Sequence, residues 1–328
     1  MKKRLIIICM LLSVIFCLSA CFGGTVTLIR NFMSAGEYRE QLKETVVSGI
    51  RAAAAAAETY SPLAKEEAAI TIPDPYNVLL IGTDRRQDNW NGNSDAIMLL
   101  SINRNRQTIS LVSFMRDLGV NIPGCGYGKI NSAYARGGAE LLKQTMEQNF
   151  QITITNCASV DFGGMMRIVD LFGGVTIDVT QEEIQVMNSY IKEMCGLEGL
   201  TPENYYLSAG GTIHLNGMQA VAYCRNRYTG RYDFERTARQ RRVMEQLYLQ
   251  AKSMEFSQLL RIAGQAMPLV SHDVSGEQLT ALISMIPAAG NYQVTLERVP
   301  YDGLYVSNNE NLDPVWEQTL ERLHGLLY

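Results

Sequence analysis

The chain has 328 residues, 47% of them hydrophobic, with 29 lysines and arginines against 33 acidic residues and a formal net charge of −4. That length and apolar content support one large buried core and exclude an intrinsically disordered chain. The acidic balance argues against a general nucleic-acid binder, whose domain would be basic throughout.

The N-terminus reads MKKRLIIICMLLSVIFCLSACFGGTVTLIRNF: three basic residues, then an apolar run from Leu5 to about Ile29. A span needs roughly 20 apolar residues, so residues 1–30 are expected to form a membrane anchor. The basic flank would stay cytoplasmic and leave the rest of the chain outside. Two rival readings stay open. One is a cleaved signal peptide; the other is a lipoprotein box at Leu18-Ser19-Ala20-Cys21, with Cys21 lipidated. Ser34-Ala35-Gly36-Glu37 has capping-box spacing, and Tyr38, Leu42, Val46 and Ile50 recur every four residues. A stalk helix and a linker punctuated by Pro62, Pro73 and Pro75 are thus expected over 31–75, and the main domain over 76–328.

Short apolar runs predict strands at 77–82, 96–102 and 108–114. A helix follows at 133–149, a strand at 152–160, a helix at 164–171 and a strand at 175–179. Helices at 216–223 and from 234 to about 254 complete the pattern. Alternating strands and helices indicate an α/β fold with a sheet covered on both faces. Beyond the apolar N-terminus lie Cys125, Cys157, Cys195 and Cys224, without C-x-x-C spacing or a histidine partner, so a zinc site is not expected. Cys157 and Cys224 sit in apolar stretches and read as buried thiols. Cys125 and Cys195 lie in loop-like stretches, where a bridge between them is conceivable.

Residues 223–242, YCRNRYTGRYDFERTARQRR, hold seven arginines. On a helix advancing about 100° per residue, Arg236, Arg239 and Gln240 extend the face of Val243 and Leu247, whereas Arg241 and Arg242 point elsewhere. Asp233 reads as the helix N-cap. Arg225 and Arg227, two apart, would share a side if extended. Inward arginines need partners. Three readings compete: neutralisation by Asp233 and nearby glutamates, a phosphate or pyrophosphate held by guanidinium forks, and a nucleic-acid patch using Tyr228 and Tyr232. Asp84 and Asp95 bracket the first strand-to-strand loop. They either cap turns or converge to hold magnesium, with phosphate oxygens completing its shell.

Several segments, in this order, resemble the LytR-CpsA-Psr family: Val78-Leu79-Leu80-Ile81-Gly82-Thr83-Asp84, Ser94-Asp95-Ala96-Ile97-Met98, Ser113-Phe114-Met115-Arg116-Asp117 and Lys129-Ile130-Asn131-Ser132-Ala133-Tyr134. Asp161-Phe162, Gly173-Gly174-Val175, Leu215-Asn216-Gly217 and Arg225-x-Arg227 with Asp233-Phe234-Glu235-Arg236 and Arg239-Gln240 follow. The resemblance implies a central mixed sheet in an α-β-α arrangement. It further implies a phosphotransferase outside the cell that moves a glycopolymer, such as teichoic acid or capsule, from an undecaprenyl-pyrophosphate carrier to peptidoglycan. By that similarity Arg116, Arg225, Arg227 and Asp233 would be catalytic. Arg86, Lys129, Arg236, Arg239 and Gln240 would hold the pyrophosphate, and Asp84 and Asp95 a magnesium or manganese ion. An apolar tunnel for the prenyl chain is also implied. The expected partners are the lipid-linked glycan, peptidoglycan and the cytoplasmic membrane, not nucleic acid. Two positions depart from the family: Asn93 where an arginine is common, and Glu235 where glycine is usual. Glu235 would bring negative charge close to the site. A polyprenyl-pyrophosphate hydrolase and a non-catalytic binder of lipid-linked glycan are the rival functions.

Overall fold

The computed structural model describes residues 72–84, 92–275, 292–308 and 310–328, together with Gln278 and Leu282. The expected anchor, the stalk helix and Arg86 lie outside the described residues. Among the described residues no helix is long and apolar enough to cross a membrane.

The chain enters through Ile72, which is buried, and Asp74, whose carboxylate accepts the backbone N–H groups of Arg104 and Asn105. Three antiparallel neighbours follow: β1 (Tyr76–Thr83), β2 (Ser94–Asn103) and β3 (Thr108–Phe114). A small hairpin of β4 (Gly119–Ile122) and β5 (Gly126–Lys129) leads into α1 (Asn131–Phe150), which is kinked at Gly137 and Gly138. Next come β6 (Asn156–Asp161), α2 (Phe162–Leu171), β7 (Val175–Val179), α3 (Gln181–Glu198) and β8 (Gly211–Leu215). Helices α4 (Gly217–Arg225), α5 (Tyr232–Ser253) and α6 (Phe256–Ala266) run to β9 (Ser271–His272). The described C-terminal part holds β10 (Gln293–Val299), β11 (Tyr305–Ser307), β12 (Leu312–Pro314) and α7 (Trp316–Leu327).

The sheet order is β10-β3-β2-β1-β6-β9. Pairs β1/β6 and β3/β10 are parallel and the other pairs antiparallel, so the sheet is mixed. Side chains alternate across it. Val78 joins a core with α2 to α6, while Leu79 and Ile81 join a second core with α1 and α7. Helices therefore cover both faces. Each large aliphatic side chain buried this way contributes about 1.5–3 kcal/mol.

Two expected boundaries move for identifiable reasons. Ile152 and Ile154 are buried in the second core, but the ladder begins only at Asn156, after the left-handed Gln151 that ends α1. The stretch holding Cys195 is helical rather than loop-like. Thr180 caps α3 through a reciprocal pair of hydrogen bonds with Glu183, and Ile184, Met187, Ile191 and Cys195 form its buried stripe. Cys195 is a free, buried thiol and Cys125 a free, exposed one, so the bridge considered between them is not formed.

Candidate active site

One end of the sheet collects the polar residues. Thr83 pairs with Ser94, which puts Asp84 and Asp95 at the adjoining ends of β1 and β2. The Asp84 N–H donates to the carbonyl of Asn93 at 3.0 Å, closing that end. Strand β3 leaves the sheet beside β2 and presents Arg116. Its Nη1 lies 2.9 Å from Asp95 Oδ1, its Nη2 3.4 Å from Asp233 Oδ2, and its Nε 3.6 Å from Asp117 Oδ2. Asp233 also holds Arg236, at 2.9 Å. A chain of alternating charge thus links β2, the end of β3 and the first turns of α5.

Burial opposes charging Arg116, yet Asp95, Asp233 and Asp117 together hold its pKa above the ordinary arginine value. Burial acts first on Asp233 as well and raises it despite Arg236 and Arg116. Burial would raise Asp117 too. Hydrogen bonds with Lys129 and Asp233 and the charge of Arg116 outweigh it and hold Asp117 below the carboxylate range. The two acids are hydrogen-bonded to each other, so their titrations are linked.

The second pair of arginines comes from α4. The Asn216 side chain caps this helix reciprocally with Gln219. A Cβ on Gly217 would collide with the Met166 carbonyl of α2, so only glycine lets the two helices approach this closely. Gly174, at φ 90°, makes the matching turn before β7, where a Cβ would sit 2.6 Å from the Leu215 carbonyl oxygen. Arg225 is the last residue of α4, not part of an extended piece. Its guanidinium is sandwiched between the rings of Phe162 and Tyr190, 4.6 Å from each centroid, and lies 3.1 Å from Glu193. Arg227, two residues on, lies over the Tyr228 ring, and its Nη2 donates to the Tyr228 hydroxyl.

These elements enclose a cavity of about 430 Å³ between β1, β2 and β6 on one side and α2, α4 and α5 on the other. Its mouth is charged: Asp84, Asp95, Asp161 and Glu193 face Arg116, Arg225, Arg227 and Arg236, with Gln240 beside them. Its body is apolar, with Met98, Ala158, Ile168, Val221, Val243 and Leu247 among its walls. Asp161 is placed by capping α2, where it accepts the Gly164 N–H at 2.7 Å.

The structure therefore brings Asp84, Asp95, Arg116, Arg225, Arg227, Arg236 and Gln240 to one hollow. Four expectations are corrected. Arg239 does not reach it. This side chain is 2% exposed; its Nε donates to Glu183 at 2.7 Å, and its two Nη atoms donate to Asn226 and Thr229. It is a strut tying α5 to α3: buried, paired with a carboxylate and absent from the cavity lining, it is spent on the fold. Lys129 ends β5, and its Nζ is held 3.0 Å from Asp117, away from the cavity lining. Asp233 is not the N-cap of α5. The helix starts two residues earlier than expected, at Tyr232, and the freed carboxylate orders Arg116 and Arg236 from behind. Glu235 turns away from this cavity and pairs with Arg242 at 2.9 Å. The residues missed in the sequence are Tyr190 and Glu193, both on α3. The Thr180-x-x-Glu183 capping pattern was the signal that could have revealed that helix.

Asp84 and Asp95 fit a hard divalent cation that takes one or two carboxylates and fills its remaining positions with water and phosphate oxygens. Among the described residues no group of three or more His, Cys, Asp or Glu gathers as an all-protein metal cage.

A profile of the LytR_cpsA_psr family matches residues 44–324. A Bacillus cereus protein named polyisoprenyl-teichoic acid–peptidoglycan teichoic acid transferase TagU is 31% identical over 258 residues, 76% of this chain and 75% of the relative. A protein of the same name from Halalkalibacterium halodurans is 32% identical over 207 residues. That match spans 62% of this chain and 62% of the relative, under two thirds of its length. Among solved structures, a LytR-CPS2A-psr family protein YwtF (TagT) with bound octaprenyl pyrophosphate lipid is 25% identical. It superposes with a TM-score of 0.56 over 80% of this chain and 94% of its own.

Proposed function

This chain belongs to the LytR_cpsA_psr family, and we propose that it transfers a glycopolymer such as teichoic acid from a polyprenyl-pyrophosphate carrier to peptidoglycan. The observation that carries this reading is the two-part cavity: four arginines at the mouth, an aliphatic interior behind them. A pyrophosphate joined to a hydrocarbon chain has the same two parts. The names of the curated relatives and the lipid in the related solved structure point to the same substrate class.

Charge balance supports the pairing of ligand and metal. Among the described residues the mouth presents four arginines and four carboxylates, a formal sum of zero. A pyrophosphate diester and a divalent cation carry opposite charges of two, so binding both preserves that balance. Asp84 and Asp95 would hold magnesium or manganese, which when bound supplies Lewis-acid polarisation of phosphoryl oxygens. The chain's own groups do the rest. Arg116, Arg225, Arg227 and Arg236 orient the phosphates and stabilise charge that spreads over their oxygens as the bond breaks. Asp233 positions Arg116 and Arg236. The stacked Phe162 and Tyr190 fix the plane of Arg225, so little reorganisation accompanies the reaction.

In the reaction a sugar hydroxyl of peptidoglycan attacks the phosphorus nearer the glycan. The new phosphoester bond forms as the bond from that phosphorus to the bridging oxygen breaks. The bridging oxygen keeps the electron pair and leaves as polyprenyl phosphate, while the hydroxyl proton passes to a mouth carboxylate. We place this at the outer face of the cytoplasmic membrane, in keeping with the basic-then-apolar N-terminus. The test is the full chain in detergent with a short lipid-linked glycan, magnesium and peptidoglycan fragments. Metal-dependent release of polyprenyl phosphate with glycan joined to the fragments is expected. Arg227→Ala should lower the rate by about 10²–10³ with the fold intact. Release without attachment would mean a hydrolase, and binding without turnover a carrier of lipid-linked glycan; either outcome refutes the transfer.

A further inference from the structure

Four of the seven arginines in the cluster at 223–242, Arg231, Arg239, Arg241 and Arg242, take no part in the cavity described above. Helix α5 is the divide. Arg236, Gln240, Val243 and Leu247 face the first cavity, whereas Phe234, Ala238 and Arg241 fall on the opposite side, nearly half a turn away. There they meet β10, the Tyr301-Asp302 turn and α7 around a second cavity of about 340 Å³. Four guanidinium groups line it: Arg231, Arg241, Arg298 and Arg322.

The carboxylates nearby neutralise only two of them. Arg298 is paired with Asp302 and Arg322 with Glu297. Glu235, the third acid of the lining, is bound to Arg242. Arg231 and Arg241 form no ion pair among the described residues. Arg241 is half-buried, and its Nη1 is buried without any hydrogen-bond acceptor. Burial, followed by the neighbouring charges of Arg298 and Arg242, presses Arg241 toward its neutral form. Tyr301, in the same lining, is 2% exposed and buries its hydroxyl without a partner. A buried cation beside other cations, with orphaned donors, is destabilising unless an anion completes it.

We infer that this second cavity is a binding site for a phosphate-class oxyanion, gripped chiefly by Arg241 with Arg298 and Arg231. Several guanidinium groups approaching from different elements match a tetrahedral group with acceptors on all sides better than a flat carboxylate, which one fork saturates. The ligand is either a free phosphate monoester or the phosphodiester of a polymer lying across the surface. The site does not depend on the transfer reaction, since none of its arginines lines the first cavity.

The test is thermal unfolding and calorimetric titration of the full chain with two probes, inorganic phosphate and the diester glycerophosphoglycerol. Both are run in the wild type, in Arg227→Ala, which disables the first cavity, and in Arg241→Gln. Saturable binding that raises the unfolding temperature, persists in Arg227→Ala and weakens at least tenfold in Arg241→Gln is expected. Phosphate alone binding identifies a monoester site; diester binding identifies a polymer contact. Without ligand, Arg241→Gln should unfold at or above the wild-type temperature, because it removes an unpaired buried charge. Equal affinity in wild type and Arg241→Gln, or no binding in Arg227→Ala, would overturn the assignment. The transfer assay reports separately on the first cavity, so either reading can fail alone.

Discussion

Replacing Arg239 by methionine separates a strut from a ligand. The side chain is 2% exposed and donates to Glu183, to the Asn226 carbonyl and to Thr229 at distances between 2.6 and 3.2 Å. Methionine fills similar space but leaves Glu183, itself 6% exposed, with an unpaired charge. Breaking one side of such a buried pair costs about 3–5 kcal/mol. At ~2–4 °C per kcal/mol for a domain of this size, the midpoint should drop by roughly 6–20 °C. Arg239→Met with Glu183→Gln should regain much of this, since the amide carries no charge and can keep the capping contact with Thr180. Circular dichroism during heating and denaturant titration measure both. At a temperature where the single variant is folded, its turnover should stay within a few-fold of wild type. A stability loss under about 1 kcal/mol, or a turnover loss as large as that of Arg227→Ala in a fully folded protein, would return Arg239 to the ligand site.

Ala158, on β6, lines the apolar body of the first cavity and is 3% exposed. Ala158→Phe should exclude at least two methylene groups of a long prenyl chain, at about 0.8 kcal/mol each, a loss of more than tenfold in affinity for octaprenyl pyrophosphate. A short prenyl pyrophosphate that stays at the mouth should keep its affinity, and competition binding reads both. Gly217→Ala should destabilise the domain by about 1–3 kcal/mol by pushing α4 off α2, and lower turnover by displacing Arg225. The control is Gly196→Ala in α3, whose Cβ meets open space and should be neutral or stabilising by about 0.5–1 kcal/mol in thermal unfolding. Burial, with Asp273 next, pushes the Cys157 thiol up to about 12. Native alkylation at pH 8 should therefore mark exposed Cys125 and spare Cys157, as read by peptide mass mapping. The unfolded thiol releases its proton near its ordinary value and the folded one only near 12, so Cys157 favours the unfolded state progressively as pH climbs between them. Denaturant midpoints measured from pH 8 to 11 should fall accordingly.

Many strands were readable because they are short apolar runs between polar breaks: β3 of the central sheet and β7, which pairs with β8 outside it, have the predicted bounds. The C-terminal region was harder. It carries no pattern that announced β10, yet that strand completes one edge of the sheet beside β3 and supplies Arg298 and Glu297 to the second cavity. A parallel edge strand is specified by the neighbour it docks on, and local sequence does not name that neighbour. Helix α3 is legible in its capping box and its stripe of Ile184, Met187 and Ile191.

Sequence alone determined that inward-facing arginines on α5 needed an anionic answer, because helical spacing dictates which residues share a face and an arginine is not buried unpaired. Tertiary structure alone decided which answer each received. Arg236 and Arg239 stand three residues apart, but Arg239 meets Glu183 of α3 and is spent on the fold, while Arg236 meets only Asp233 and opens onto the cavity. Arg241, on the far side, forms no ion pair among the described residues, and its Nη1 is buried without an acceptor. The spacing of residues along one helix sets direction; the carboxylate that claims Arg239 comes from α3, 56 residues back in the chain, which no local pattern encodes.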